Sequence, residues 1–197
     1  MRIAITGGIA CGKSLVGELF AAEGWQVCEA DQVAHGLYAP EGPAYQAVCA
    51  LGGEDIVRDD GTIDRALLAQ RVFADPSKLA ALNAILHPLV DQEIVKWLQV
   101  CKRDGATGAA VIIPLLFEAG MQDGWDAVIC VGCRAATQRE RLLQRGLDED
   151  AIQSRVASQW PIEKKMSLAD YQIWNDGDRN ALYAAVKNVV KRVSERK

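Results

Sequence analysis

The clearest chemical pattern in this sequence is an eight-residue stretch near the N-terminus. Residues 7–14 read Gly-Gly-Ile-Ala-Cys-Gly-Lys-Ser and fit the pattern G-x-x-x-x-G-K-[ST]. Glycine at Gly7 and Gly12 lets the backbone come close to a chain of phosphates, and Lys13 supplies a positive charge toward the β- and γ-phosphates. The Ser14 hydroxyl is suited to ligate Mg²⁺. The stretch therefore predicts a P-loop that binds a nucleotide such as ATP.

The elements around this stretch match the setting that a P-loop requires. Residues 2–6 predict a strand before it, and 14–23 predict a helix after it. Strands alternating with helical patterns indicate a three-layer α/β fold with a five-stranded parallel sheet. The other predicted strands are 25–29, 109–113, 127–131 and 171–174, and the last predicted helix is 179–194.

The segment between the second and third predicted strands has roughly eighty residues, too many for a simple crossover. It is helical in pattern, with Asp64 and Asp75 as predicted N-caps and a separate helix after Pro88. We expect 32–105 to form a helical insertion that holds the substrate. Helical periodicity alone leaves a purely structural insertion as the alternative.

Three side chains outside the P-loop have the chemistry of phosphoryl transfer. Asp31 follows the second predicted strand, where strand ends line the ligand crevice of such sheets, and it suits a base or a Mg²⁺ partner. A simple helix cap is the alternative for Asp31. Arg141 and Arg145, four residues apart, predict a cationic lid over 135–160, with a solvated surface helix as the alternative.

Composition and absent motifs exclude several function classes. The net charge of −4 and pI of 5.3 argue against nucleic acid as a partner, and no apolar run is long enough for a membrane span. Absence of an N-K-x-D sequence argues against a GTPase. The N-terminal residues lack a signal-peptide pattern, so we expect a cytoplasmic protein with reduced thiols and no obligate protein partner. Cys130 and Cys133, spaced C-x-x-C, are predicted as small core residues.

Beyond these motifs, the sequence closely resembles the dephospho-coenzyme A kinase family over nearly its whole length. The segments that carry the resemblance are Thr-Gly-Gly-Ile at 6–9 with Gly-Lys-Ser at 12–14, Glu-Ala-Asp at 29–31, Asp-Gly-Thr-Ile at 60–63, Leu-His-Pro at 86–88, Pro-Leu-Leu-Phe-Glu at 114–118, Thr-Gln at 137–138, and Ala-Asp-Tyr at 169–171 followed by Asn175.

The resemblance implies an enzyme that transfers the ATP γ-phosphoryl group to the 3′-hydroxyl of dephospho-CoA, using Mg²⁺ with ATP, as the last step of CoA synthesis. It implies that Asp31 orients or deprotonates the hydroxyl, that Lys13 stabilises the phosphoryl group, and that Arg141 and Arg145 belong to the lid. The implied ATP-binding residues are Gly7, Gly8, Ile9, Ala10, Cys11, Gly12, Lys13, Ser14, Leu15 and Asn175. The implied substrate-binding residues are Asp31, Arg65, His87 and Leu115.

This sequence departs from the family inside the loop, where Gly-Ser is usual at 10–11 and Thr at 15. Leu15 lacks a hydroxyl for the α-phosphate, which predicts a loss of about 1.5–3 kcal/mol of ATP binding at most. Cys11 at a helix N-terminus has the setting of an oxidisable thiol of lowered pKa, with a merely tolerated replacement as the alternative. Other open functions are a nucleoside or nucleotide kinase, a non-catalytic nucleotide switch, and a kinase that has lost activity.

Overall fold

The computed structural model describes residues 1–195, apart from the Glu54 side chain. The chain forms two compact units. The first contains Met1–Glu29 and the chain from Cys101 onward, and the second is Ala30–Val100. The second unit overlaps the predicted insertion, 32–105, whose substrate-holding role stays a prediction.

The first unit is built on a five-stranded parallel sheet with the strand order β2-β3-β1-β4-β5. The strands are β1 (Arg2–Gly7), β2 (Gln26–Glu29), β3 (Ala109–Ile112), β4 (Ala127–Gly132) and β5 (Tyr171–Trp174). The predicted α/β fold is confirmed, and every predicted strand lies within one residue of its observed bounds. Both β3 and β4 are buried along their whole length, as expected for strands covered on two faces.

Helices cover both faces of this sheet. The pair α1 (Lys13–Ala22) and α9 (Arg179–Ser194) packs on one face, where Ile3 and Ile5 of β1 join Phe20 in the core. Alternate strand residues face opposite sides, so Thr6 points to the other face, where α8 (Ile162–Leu168) contacts β1 and β4. The chain between β4 and α8 forms α6 (Ala135–Gln144) and α7 (Glu149–Ala157).

The second unit is helical. It contains α2 (Ala30–Leu37), α3 (Tyr45–Gly52), a 3₁₀ turn (Glu54–Ile56), α4 (Arg65–Ala74) and most of α5 (Pro76–Arg103). Both predicted N-caps form, because Asp64 accepts the N–H groups of Ala66 and Leu67, and Asp75 accepts that of Ser77. Within residues 1–195, no helix has the length and apolar character needed to cross a membrane.

One expectation about helix starts in this unit was wrong, and the alternative given for Asp31, a helix cap, is not what the structure shows. Helix α5 does not restart after Pro88 but runs unbroken through it. Proline removes one backbone donor, yet the apolar face continues past it with Val90 and Ile94 buried, and this burial offsets the lost hydrogen bond. Helix α2 starts at Ala30, so Asp31 lies in its first turn and not at an N-cap.

An ion pair lies in the interior of the first unit. The Lys165 side chain is fully buried, and its ammonium lies 2.6 Å from Glu118 Oε1 and donates to the Pro114 carbonyl at 3.1 Å. Glu118 also accepts the Trp160 N–H at 2.9 Å, and the Thr6 hydroxyl donates to the same Pro114 carbonyl at 3.2 Å. The pair therefore ties α8 to the segment that follows β3 and to the end of β1.

We predict that Lys165→Met lowers the free energy of unfolding by about 3–5 kcal/mol, because it leaves Glu118 as an unpaired buried charge. Urea unfolding followed by circular dichroism measures the change. Adding Glu118→Leu to that variant should recover most of the loss, since an apolar pair replaces the charges. Lys96→Met, in an exposed ion pair with Glu93, is the control and should change stability by less than about 1 kcal/mol. A loss at Lys165 no larger than at Lys96 would contradict the prediction.

Candidate active site

The predicted P-loop joins β1, which ends at Gly7, to α1, which begins at Lys13. Two of its positions leave no room for a side chain. A Cβ on Gly7 would overlap the Val131 carbonyl of β4, and a Cβ on Gly12 would overlap the Asn175 amide. Gly12 also has φ 96°, which disfavours any other residue. The glycines of the motif are therefore required by close packing as well as by phosphate access.

The loop carbonyls have a consistent set of partners. Side-chain donors bind four consecutive carbonyl groups of the loop. The bonds are Lys13 Nζ to Gly8 O (2.8 Å), Gln138 Nε2 to Ile9 O (2.8 Å), Arg141 Nη1 to Ala10 O (3.3 Å) and Asn175 Nδ2 to Cys11 O (2.9 Å). Lys13 also donates to Gly7 O at 3.3 Å. Buried carbonyls need such partners, so these side chains stabilise the open shape of the loop.

A cavity of about 490 Å³ opens beside the loop at the start of α1. Its charged lining consists of four cations and one carboxylate, and the N-terminus of α1 adds partly positive N–H groups. These features suit a polyanion. The lining residues are Ala10, Gly12, Lys13, Ser14, Leu15, Arg141, Arg145, Asn175, Gly177, Asp178, Arg179 and Leu182. The structure thus brings most of the predicted ATP-binding residues together with both predicted lid arginines.

The two arginines are placed differently from each other. Arg141 lies on α6 and is half-buried, and its guanidinium donates to Ala10 O and, at 2.8 Å, to Asn175 O. These bonds use two of its five N–H donors, and the side chain still lines the cavity. Arg145 follows the last residue of α6 and is exposed. Their contact with a transferring phosphoryl group stays a prediction.

The sequence did not indicate several residues that hold the loop or line the cavity. The Gln159 side chain accepts the Ile9 N–H at 2.9 Å, so Gln159 and Gln138 bind the N–H and the C=O of the same loop residue. A neutral glutamine in a helical pattern gives no signal of such a role. Arg179 was predicted only as the first residue of the last helix, but in the structure it lines the cavity together with Asn175. The four-residue separation of the two was the available signal.

In the helical unit, Asp31 and Arg65 gather around a histidine that the sequence analysis did not single out. Asp31 and His35 are one turn apart on α2, and Arg65 Nη1 lies 2.9 Å from His35 Nδ1. Burial and the Arg65 charge lower the pKa of His35, while Asp31 acts in the opposite direction. His35 is therefore mainly neutral at pH 7 and can accept the Arg65 hydrogen bond. The i, i+4 spacing from Asp31 was the available signal.

The remaining predicted substrate residues are exposed. His87 lies on α5 directly before Pro88, and Leu115 follows β3 with 43% of its surface exposed. An exposed leucine of this kind is compatible with a ligand contact and equally with an ordinary surface. Their contact with substrate stays a prediction.

The donors available for Mg²⁺ fit an ion that arrives with phosphates. The Ser14 side chain is exposed and lines the cavity. In the part of the chain that the structure describes, no three His, Cys, Asp or Glu side chains group into a metal cage. Mg²⁺ usually keeps several waters and binds few protein groups besides substrate phosphates, so a single hydroxyl is a suitable protein ligand.

We predict that Gly12→Ala abolishes measurable ATP binding, because the new methyl group displaces the Asn175 amide from the Cys11 carbonyl. Isothermal titration calorimetry with ATP measures the effect. Gly24→Ala is a matched control, since Gly24 has a similar positive φ of 85° and nothing near its Cβ position. It should lower stability by about 1–2 kcal/mol through backbone strain while ATP affinity is unchanged. Normal ATP affinity in Gly12→Ala would refute this account of the loop.

Comparison with known proteins identifies the family. The family model for dephospho-CoA kinase matches residues 1–181. A dephospho-CoA kinase from Corynebacterium glutamicum is 36% identical over 197 residues, covering 100% of this chain and 98% of that protein. The crystal structure of TT1252 from Thermus thermophilus has a TM-score of 0.82 at 31% identity, covering 98% of this chain and 97% of that one. The dephospho-CoA kinase structure from Campylobacter jejuni has a TM-score of 0.71 at 25% identity, covering 99% and 98%. With its P-loop, parallel sheet and cationic cavity, this chain belongs to the dephospho-CoA kinase family.

Proposed function

We propose that this protein transfers the γ-phosphoryl group of ATP to the 3′-hydroxyl of dephospho-CoA, giving CoA and ADP. The observation that carries the proposal is the cationic cavity at the P-loop of a chain that matches the family over residues 1–181. Membership of the family indicates dephospho-CoA as the phosphoryl acceptor, and the cationic cavity supports ATP as the phosphoryl donor. As part of the proposal we retain a cytoplasmic location, with ATP and dephospho-CoA as the partners.

The geometry of the loop supports ATP as the donor. The held carbonyls keep the loop open, and the start of α1 presents N–H groups and a positive partial charge to phosphates. In this structure Lys13 donates to the carbonyls of Gly7 and Gly8. When a nucleotide binds, its flexible side chain is proposed to swing so that the ammonium contacts the β- and γ-phosphates. The Asn175 segment and Arg179 are proposed to face the nucleoside end.

Three kinds of group are proposed to act in the chemical step: a carboxylate, cationic side chains and a hydroxyl that binds Mg²⁺. Asp31 orients the attacking hydroxyl or accepts its proton, and His35 with Arg65 fixes the surroundings of that carboxylate. Lys13, Arg141 and Arg145 stabilise the charge on the phosphoryl group, with 135–160 as the lid that excludes water. Ser14 holds Mg²⁺, which neutralises phosphate charge when bound. Arg65, His87 and Leu115 are proposed to contact the acceptor.

An acceptor panel tests the function directly. Purified protein is assayed for ADP release with ATP and Mg²⁺, using dephospho-CoA, adenosine, AMP or shikimate as acceptor. We expect turnover with dephospho-CoA alone, with CoA identified by mass. Turnover with a different acceptor only would keep the kinase assignment and overturn the substrate. ATP binding without turnover on any acceptor would favour a nucleotide switch or a kinase that has lost activity.

We predict that Asp31→Asn reduces turnover by about 10²–10⁴-fold while ATP affinity stays within about threefold of the parent, because only the group acting on the hydroxyl is lost.

Lys13→Ala should reduce turnover by about 10²–10³-fold through lost charge stabilisation and should also weaken ATP binding. Steady-state kinetics and ATP calorimetry measure the two effects. The control is Asp91→Asn on exposed α5 surface, with unchanged turnover expected. Near-normal turnover in Asp31→Asn would remove Asp31 from the mechanism.

A further inference from the structure

Two cysteine thiols are in contact at the P-loop. Cys11 lies in the loop and Cys133 follows the last residue of β4, and the Cys133 S–H donates to Cys11 Sγ at 3.3 Å. Both side chains belong to the buried core, with 0% and 3% of their surfaces exposed. The neighbours of Cys11 on either side, Ala10 and Gly12, line the nucleotide cavity. The thiol contact therefore adjoins the phosphate-binding backbone without being part of the cavity.

The two sulfurs have opposite acid–base character. The hydrogen bond from Cys133 and the charges of Lys13 and Arg141 lower the pKa of Cys11 to about 7, against the effect of burial. The same contact and burial raise the pKa of Cys133, so it stays a thiol. Burial raises the pKa of nearby Cys130 to about 12, which makes it a poor nucleophile. At neutral pH the contact thus pairs a partly ionised nucleophile with a thiol.

We propose that Cys11 and Cys133 form an intramolecular disulfide when hydrogen peroxide is present, and that this disulfide switches off nucleotide binding. Cys11 is buried, so hydrogen peroxide reaches it when the loop opens locally. The Cys11 thiolate then attacks the peroxide, an S–O bond forms, the O–O bond breaks, and the leaving hydroxide takes up the proton that Cys11 released on ionising and becomes water. Cys133 then attacks the Cys11 sulfur, an S–S bond forms, and the S–O bond breaks. The departing hydroxide takes the Cys133 proton and leaves as a second water. Two thiols are oxidised and one peroxide is reduced.

We expect the bond to displace the loop. A disulfide has an S–S distance of about 2.0 Å, so the two sulfurs must approach by about 1.3 Å. Asn175 links the two segments at their present spacing, because its side chain binds the Cys11 carbonyl and its backbone N–H donates to the Gly132 carbonyl at 2.7 Å. Any part of the approach that the two side chains do not supply by rotation moves the loop relative to Asn175. Displacements of this size in a preorganised site reduce activity by on the order of 10²-fold.

The first test is to map the bond in the complete protein. Hydrogen peroxide is added at a few equivalents, remaining thiols are alkylated, and peptides are separated without reduction. We expect a peptide pair joining Cys11 and Cys133. The matched comparison is Cys28 with Cys101, which are also close enough to interact electrostatically but are not in sulfur contact. Oxidation of other cysteines with Cys11 and Cys133 still reduced would overturn the proposal, as would a Cys28–Cys101 bond formed in their place.

The second test is ATP affinity, which does not depend on the identity of the acceptor. The oxidised protein should bind ATP about 10- to 100-fold more weakly, as expected when the loop loses one hydrogen bond to a phosphate, and dithiothreitol should restore binding. In Cys133→Ser, peroxide should leave Cys11 as a sulfenic acid that dimedone traps, with no disulfide. Cys28→Ser should respond to peroxide as the parent does. A mapped Cys11–Cys133 bond with unchanged ATP affinity would reject the switch, even if turnover on dephospho-CoA had been demonstrated.

Discussion

The structure depends on one constraint, the need to satisfy the outward-facing carbonyls of a short loop. A P-loop wraps its backbone around phosphates, and the carbonyl groups of Gly8 through Cys11 must then find donors elsewhere. In this protein each carbonyl has its own side-chain donor. Those donors come from α1, from α6 and from the residue that follows β5. The loop proposed to bind phosphate is therefore held partly by segments more than a hundred residues away along the chain.

This constraint explains why the cavity and the core are closely linked. Asn175 is buried because it binds a loop carbonyl and, through its own backbone, the end of β4. Thr6 and Lys165, the other buried polar residues within 1–195, both donate to the Pro114 carbonyl at the end of β3. Buried polar groups in this protein thus fix the carboxyl edge of the sheet. The apolar core between the sheet and α1 and α9 supplies the rigid base that they need.

Much of the fold and part of the site could be predicted from the sequence. Short apolar runs that alternate with helical patterns predicted all five strands, and the loop motif located Lys13 and Ser14, because local patterns determine both. The sequence does not predict the loop contacts of Gln138 and Gln159 or the contact between Cys11 and Cys133, since these depend on which distant segments meet. The helix break expected at Pro88 does not form, because burial of the continuing helix face outweighs the effect of the proline. Ala10, where the family usually has glycine, keeps a left-handed φ of 56°, so the fold enforces a conformation that its side chain disfavours.

In the proposed mode of binding, the position of Lys13 makes nucleotide binding an exchange of acceptors. Its ammonium is bound to the carbonyls of Gly7 and Gly8, so a phosphate that receives the ammonium has to replace ligands that the protein itself provides. The net gain on binding is the difference between a phosphate and a carbonyl as acceptor, and is smaller than the full ammonium–phosphate interaction. The same carbonyls are in position to receive the ammonium again when the nucleotide departs, so release does not leave the ammonium without an acceptor. The exchange thus makes the affinity for the nucleotide lower than the charges of the site alone would give.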